Sequence, residues 1–127
     1  MPKQIIATND APAAIGPYSQ ATKLGNIVFT AGQIALDPST GKLVEGGIEE
    51  QATQVMNNLK AILAAAGSSL DKVLKTTCFL ANIDDYPTFN QIYGTYFTSN
   101  PPARSAFQVA KLPAGAIVEV ECIAECD

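Results

Sequence analysis

The sequence predicts an α+β fold in which one mixed β-sheet carries two helices on a single face. Two observations lead to this prediction. Segments with strand character alternate with two segments of helical periodicity, in the order strand, strand, helix, strand, helix, strand, strand. The 127 residues have the length of one compact domain, and 47% of them are apolar, which is enough for a core. We therefore expect residues 1–127 to form a single domain.

The first two strands are predicted at residues 19–24 and 27–31. Gly25 and Asn26 between them suit a two-residue hairpin loop. Residues 27–29 are apolar on consecutive positions, a pattern typical of a strand that is buried on both faces.

The first helix is predicted at about residues 48–66. Its apolar residues recur every three or four positions and form one stripe, which we interpret as core and not as a cofactor site. Glu49 and Glu50 suit the positive end of the helix dipole, and Gly67 is a natural C-cap. The stripe consists of Ala52, Val55, Met56, Leu59, Ile62, Leu63 and Ala66.

A third strand is predicted at residues 73–81, and a second helix follows. Asp84 or Asp85 is expected to cap this helix, with Pro87 in its first turn. Gly94 costs about 1 kcal/mol relative to alanine in mid-helix, so either a neighbour packs closely there or the helix is weakened. The apolar face of the helix is Phe89, Ile92, Tyr93, Tyr96 and Phe97.

The last two strands are predicted at about residues 104–110 and 117–125. If they pair, Arg104 and a glutamate lie near the same sheet end or across a subunit boundary. Glu119 and Glu121 are two residues apart, so they project from one face of their strand. A partly buried glutamate has a raised pKa and can transfer protons. The alternative is that both carboxylates are simply solvated.

Arg104 is the only arginine, against seven lysines. A guanidinium is a planar fork that can hold a carboxylate with two parallel hydrogen bonds, so Arg104 is a candidate grip for a small carboxylate substrate. The alternative is an ion pair with a nearby glutamate that orders a loop.

The two helices cover only one side of the sheet, so a second copy of the chain is expected on the other side; a monomer with an open apolar face is the alternative.

The composition argues against several classes of function. The net charge is −4 and the lysines are spread singly, unlike a nucleic-acid-binding surface. The absence of histidine excludes Ser–His and Cys–His nucleophile pairs and a histidine-driven ribonuclease mechanism. Three cysteines, with no visible signal peptide or membrane-length apolar run, predict reduced thiols and a cytoplasmic location. Cys126 is expected to be exposed.

Four short motifs follow one another along the chain. They are Gly16-Pro17-Tyr18-Ser19-Gln20, Thr30-Ala31-Gly32-Gln33, Pro102-Ala103-Arg104-Ser105 and Val118-Glu119-Val120-Glu121. In this order and spacing the chain resembles the RidA proteins, also called the YjgF family, nearly from end to end. Each motif alone is weakly specific, and the set is specific.

The resemblance implies a chorismate-mutase-like fold that assembles as a trimeric barrel, with ligand clefts between the subunits of the homotrimer. It also implies hydrolytic deamination of reactive 2-imino acids and their enamine tautomers to 2-oxo acids and ammonia. The substrates would be 2-aminoacrylate/2-iminopropanoate and 2-aminocrotonate/2-iminobutanoate. No cofactor, metal, nucleic acid or membrane is implied.

The resemblance also suggests a role for individual residues. Arg104 would bind the substrate carboxylate, and Glu119 would orient and activate the attacking water. Many relatives carry Cys where this chain has Ala106 and Ser where it has Ala31, so no thiol can act in this cleft. The substrate-binding residues implied are Tyr18, Gly32, Asn90, Arg104 and Ala106.

Two other functions stay open at this stage. One is a binding module, which would hold 2-oxo acids or act like a chaperone. The other, favoured less, is a ribonuclease or translation inhibitor.

Overall fold

The computed structural model describes residues 2–127 and has the predicted α+β architecture. One six-stranded sheet runs in the order β1-β2-β3-β6-β4-β5. Strands β4 and β5 are parallel and all other neighbours are antiparallel, so the sheet is mixed, as predicted. The elements are β1 (Gln4–Ile6), β2 (Ala21–Leu24), β3 (Ile27–Thr30), α1 (Ile48–Ala65), β4 (Val73–Leu80), α2 (Tyr86–Tyr96), β5 (Ala103–Gln108) and β6 (Val118–Glu125).

Helix α1 begins and ends where the sequence predicts. The Gly47 N–H donates to the Glu50 carboxylate (2.8 Å) at its start. At its end Gly67 has a φ of +78°, and the turn lets the Ser68 N–H donate to the Leu63 carbonyl (2.8 Å). All seven residues of the predicted stripe are buried, which confirms that the stripe belongs to the core.

Helix α2 confirms the predicted helix but not its cap. Asp85 stands at the N-cap position, yet its side chain makes no capping hydrogen bond. The Asn82 side chain accepts from the Asp84 N–H (2.9 Å) and caps the short 3-10 turn that precedes α2. The prediction of an aspartate cap is therefore wrong, because the extra turn moves the capping function upstream. Pro87 lies in the first turn, as expected.

Gly94 is exposed in α2, and a β-carbon built there has no atom within 4 Å. No close packing therefore requires this glycine. Of the two explanations for it, the weakened helix is the one that the structure supports.

Two features of the sheet differ from the sequence-based expectation. Strand β1 was not predicted, and it pairs with β2 through Ile5 and Thr22. The last two strands are not neighbours, since β4 lies between β5 and β6. Helix α2 connects β4 to β5 as a crossover, and this connection makes them adjacent and parallel.

The two faces of the sheet are unlike in burial. Alternate residues of β4 and β6 are buried on the side where α1 and α2 pack. On the opposite side, which we call the open face, Phe29 is 47% exposed and Phe107 is 46% exposed. Strand β3 is thus buried on one face only within a single chain, because Val28 is buried and Phe29 is not.

Cys126 is buried, contrary to the expectation that it is exposed. Its backbone N–H donates to the Asn26 carbonyl (2.8 Å), which extends the pairing of the last strand beyond β6. Cys78 and Cys122 are also buried and unpaired. Within residues 2–127, no helix has the length and apolar character needed to cross a membrane.

Candidate active site

Glu119, the second residue of β6, lies in a cavity of about 320 Å³. The cavity forms where the segment before β2 meets the loop that follows β3. We call it the Glu119 cavity. Its lining residues are Pro12, Ala13, Ile15, Tyr18, Gln20, Ala31, Gly32, Gln33, Ile34, Leu36, Pro113 and Glu119.

Gly32 is in direct contact with the Glu119 carboxylate. A β-carbon at position 32 would lie 2.8 Å from Glu119 Cδ and would overlap Oε2. The neighbours of Gly32 are anchored, since the Ala31 N–H donates to the Gln20 carbonyl (2.8 Å) and the Gln33 N–H to the Val120 carbonyl (2.8 Å). The Gly32 N–H itself has no acceptor among residues 2–127. The glycine therefore leaves room for the carboxylate, and its own N–H remains without an acceptor among the described residues.

The environment of Glu119 raises the pKa of its carboxyl group. The main cause is desolvation by partial burial, and the second is the negative charge of Glu121. No cation offsets these effects, because the one ion pair among the described residues joins Lys72 to Asp127. Among residues 2–127, no three Cys, Asp or Glu side chains lie close enough together to hold a metal ion. The arrangement suits proton transfer by Glu119.

Two polar side chains fix the walls of the Glu119 cavity. Gln20 accepts from the Thr8 N–H (2.7 Å) and donates to the Thr8 carbonyl (3.0 Å) and the Pro12 carbonyl (2.7 Å). The Tyr18 hydroxyl accepts from the Ile15 N–H (3.3 Å), which orients its half-exposed ring along the cavity. These bonds tie an irregular segment to the start of β2.

Arg104 belongs to a second group of residues, on β5 and α2. Its Nη2 donates to the Tyr86 hydroxyl (2.8 Å), and its guanidinium carbon lies 4.7 Å from the centre of the Tyr93 ring. No carboxylate of the described chain lies within 4.0 Å of it. The alternative of a loop-ordering ion pair is therefore contradicted within a single chain.

Asn90 and Ala106 lie beside Arg104. Tyr86, Asn90 and Tyr93 are four and then three residues apart, so they share one face of α2. The Asn90 Oδ1 atom is buried and has no hydrogen-bond partner in residues 2–127. Ala106 follows Arg104 by two residues on β5 and lines an open recess with Tyr86. We call Tyr86, Asn90, Arg104 and Ala106 the Arg104 cluster.

The predicted site residues fall into two groups that lie on opposite faces of the sheet. Arg104 pairs with Thr76 of β4 in the sheet register, whereas Glu119 pairs with Phe79 of the same strand. Thr76 and Phe79 are three residues apart on β4, so they point to opposite faces. Arg104 lies on the helix side, in contact with Tyr93, and Glu119 therefore lies on the open face. One chain does not bring Arg104 and Glu119 together.

Sequence reasoning did not single out three of the residues that shape these two groups. Tyr86 and Tyr93 flank the guanidinium of Arg104, and Asn58 donates to the Ile34 and Leu36 carbonyls at the edge of the Glu119 cavity. The sequence signal available for Asn58 was its polar side chain within the apolar stripe of α1. The signal for Tyr86 and Tyr93 was their spacing of seven residues, which places them on one face of the helix that precedes the only arginine.

The chain is similar to known proteins over nearly its whole length. The family model described as endoribonuclease L-PSP matches residues 8–126. A mouse protein named 2-iminobutanoate/2-iminopropanoate deaminase is 52% identical over 96% of this chain and 90% of its own length.

Solved structures are also similar over the whole fold. RidA from the Antarctic bacterium Psychrobacter sp. is 46% identical, with a TM-score of 0.93 over 96% of this chain and 98% of that one. E. coli TdcF with bound serine is 41% identical, also with a TM-score of 0.93, over 98% and 99% of the two chains. The serine-bound relative has a small molecule with a carboxylate and an amino group as its ligand.

Proposed function

The chain belongs to the endoribonuclease L-PSP family, which includes the RidA proteins, and on this premise we propose that it hydrolyses reactive 2-imino acids to 2-oxo acids and ammonia. The observation that carries the proposal is the 52% identity, over 96% of this chain, to the mouse protein named 2-iminobutanoate/2-iminopropanoate deaminase. The proposed substrates are 2-iminopropanoate and 2-iminobutanoate, together with their enamine tautomers. A guanidinium without a carboxylate partner and a glutamate without a cation support this chemistry.

A second copy of the chain completes the site in this proposal. The Arg104 cluster and the Glu119 cavity lie on opposite faces of one sheet, so a cleft that uses both needs two chains. The exposed Phe29 and Phe107 of the open face supply an apolar surface for such contact. The homotrimer implied by the family resemblance meets both requirements, since each chain gives one group of residues to each neighbour.

Substrate binding then rests on a few polar groups. Arg104 of one chain binds the carboxylate through two hydrogen bonds. The free N–H of Gly32 and the ring of Tyr18, from the neighbouring chain, hold the other side of the ligand. The partnerless amide oxygen of Asn90 is available to the imine nitrogen, and Ala106 leaves room for the substrate's side chain.

Glu119 supplies the proton transfers. The enamine takes a proton on C3 and becomes the iminium form of the imine. Glu119 accepts a proton from a water molecule as the water oxygen bonds to the iminium carbon and the π electrons move to nitrogen, which gives a neutral 2-amino-2-hydroxy acid. The carboxylic acid of Glu119 returns a proton to the nitrogen; the carbon–nitrogen bond then breaks as the hydroxyl proton passes back to Glu119, and ammonia and the 2-oxo acid leave. A raised pKa makes the Glu119 carboxylate a better proton acceptor than an ordinary glutamate, and its acid form can return the proton.

The two alternative functions have less support. Acidic net charge and the absence of histidine argue against a ribonuclease of the histidine type, although the family model carries that name. A module that only holds 2-oxo acids would need Arg104 but would have no use for the raised pKa of Glu119. We also propose a cytoplasmic location, since three buried, unpaired thiols suit a reducing compartment.

The proposed site can be tested by mixing two inactive variants. A dehydratase generates 2-aminocrotonate in the assay, and the loss of imine is followed with the native protein, Arg104→Ala and Glu119→Gln. We expect strong acceleration with the native protein and a far smaller one with either variant. If the two variants are unfolded together and refolded as mixed assemblies, about one quarter of the sites regain both residues.

Restored activity in the mixture is the expected result. If the native protein accelerates the reaction and the mixture remains inactive, the cross-chain site is wrong. Equal rates with and without the native protein would reject the deaminase proposal itself.

A further inference from the structure

We propose that Tyr86 is a positioning residue that holds Arg104 ready for the substrate carboxylate. The inference rests on the proposed function, in which Arg104 binds that carboxylate. Tyr86 is the first residue of α2, and its hydroxyl accepts a hydrogen bond from Arg104 Nη2 at 2.8 Å. Its ring also lies 5.3 Å from the guanidinium carbon. A single side chain thus contacts Arg104 through both its polar and its aromatic parts.

Two contacts together restrict the orientation of the guanidinium. The Tyr93 ring, whose centre lies 4.7 Å from the guanidinium carbon, supports one side of the group. The hydrogen bond to Tyr86 fixes the direction of Nη2. An arginine side chain has several rotatable bonds, so a free one would lose more entropy when a ligand orders it. Prior ordering by Tyr86 reduces that loss.

The Tyr93 ring is itself held in place from behind. Its hydroxyl shares a hydrogen bond with the buried Thr76 hydroxyl (2.7 Å), and its ring packs 4.7 Å from Phe97 and 5.6 Å from Phe89. The surface on which Arg104 rests is therefore part of the core. Tyr86, by contrast, is attached at the start of α2 and contributes the one hydrogen bond that the guanidinium makes to another side chain in residues 2–127.

The chemical type of Tyr86 is suited to this role. A tyrosine hydroxyl is neutral, so it orients the guanidinium without neutralising its charge. A carboxylate in the same place would compete with the substrate for Arg104. Tyr86 also takes only one of the five N–H donors of a guanidinium, and four remain for a ligand that binds through two hydrogen bonds.

Tyr86→Phe tests the inference because it removes the hydroxyl and keeps the ring. We expect KM to rise about two- to tenfold with kcat nearly unchanged, which corresponds to the cost of ordering one flexible side chain. The affinity for 2-oxobutanoate, measured by NMR titration, should fall by a similar factor. Tyr96→Phe is the matched control. It removes a hydroxyl from the same helix, bonded to Asn57 at 3.2 Å and not to Arg104, and should leave KM unchanged.

A double variant shows whether Tyr86 acts through Arg104. In an Arg104→Ala background, Tyr86→Phe should cause no further loss of 2-oxobutanoate binding, since residues that work through one contact are not additive. An unchanged KM in Tyr86→Phe, or the same loss in both backgrounds, would overturn the inference. These outcomes are distinct from failure of the proposed function, in which the native protein itself neither binds 2-oxobutanoate nor accelerates imine loss.

Discussion

The Glu119 carboxylate occupies the space that a side chain at position 32 would need. A β-carbon on Gly32 would lie 2.8 Å from Glu119 Cδ, whereas the backbone of Gly32 is not in the left-handed region that favours glycine. The glycine is thus required by its contact with Glu119 and not by its own conformation. Substitution at position 32 should therefore affect catalysis more than stability.

Gly32→Ala is expected to reduce kcat about 100-fold, because displacement of a catalytic group by about 1 Å costs that much. The thermal midpoint should change little, since an alanine backbone fits the conformation at this position. Imine hydrolysis and a thermal melt on the same preparation provide the measurement. A variant with native kcat would show that the position of the Glu119 carboxylate does not matter.

Gly94→Ala is the matched glycine substitution away from the site. It should stabilise the protein by about 0.5–1 kcal/mol, because alanine favours the helix and nothing lies within 4 Å of the new β-carbon. Urea unfolding measures this gain, and kcat should remain native. Destabilisation would indicate that position 94 is covered by a contact that a single chain does not make.

Glu119→Gln should reduce kcat about 100-fold or more, since glutamine cannot transfer the protons. Its effect on stability depends on pH. The pKa of Glu119 is higher in the folded protein than in the unfolded chain, so the unfolded chain releases this proton at lower pH. As pH rises from the ordinary pKa of a glutamate to the raised one, this group therefore lowers the free energy of unfolding of the native protein. The Glu119→Gln variant has no such group and does not show this loss.

Thermal melts of both proteins from pH 4 to pH 7 check this sign. The thermal midpoint of Glu119→Gln minus that of the native protein should increase with pH. A difference that stays constant or decreases would mean that the folded protein does not disfavour the ionised carboxylate.

Arg104→Ala should lower kcat/KM by about 30-fold to several thousand-fold, the range seen when one partner of a buried charge pair is removed. Arg104→Lys should recover only part of this loss, because lysine keeps the charge but not the planar fork. Steady-state kinetics of the two variants side by side provide the comparison. Equal activity of Arg104→Lys and the native protein would show that charge alone suffices.

Asn58→Leu tests the link between α1 and the Glu119 cavity. Asn58 is buried, donates to the Ile34 carbonyl (3.2 Å) and the Leu36 carbonyl (2.9 Å), and accepts from Gln54 (2.8 Å). Leucine leaves these groups without partners, so we expect destabilisation of about 1–3 kcal/mol. Urea unfolding is the measurement. A native unfolding midpoint would show that water satisfies the two carbonyls.

The order and type of the long elements could be predicted because hydrophobic periodicity is a local property. Strand β1 was missed since three residues are too few to show a period. The neighbours of β5 and β6 were wrong because strand order depends on contacts between distant segments. Burial of Cys126 depends in the same way on Asn26, a residue one hundred positions earlier in the chain.

The candidate site was predictable in its residue types but not in its arrangement. A single arginine and a strand glutamate could be recognised from the sequence alone. Whether Arg104 and Glu119 share a face depends on the register of each strand against β4, and register is set by packing of the whole sheet. The acceptor for Arg104 could not be foreseen either, since Tyr86 lies on α2 and reaches it only once the crossover has formed.

The separation of Arg104 and Glu119 on one sheet has a genetic consequence if, as we propose, each site is shared between two copies of the chain. A chain that lacks only one of these residues inactivates one cleft in a mixed assembly and still supplies the other residue to a second cleft. A chain that lacks both residues inactivates the two clefts to which it contributes. When expressed with the normal gene product, the doubly altered allele should be dominant-negative to a greater degree than either single one.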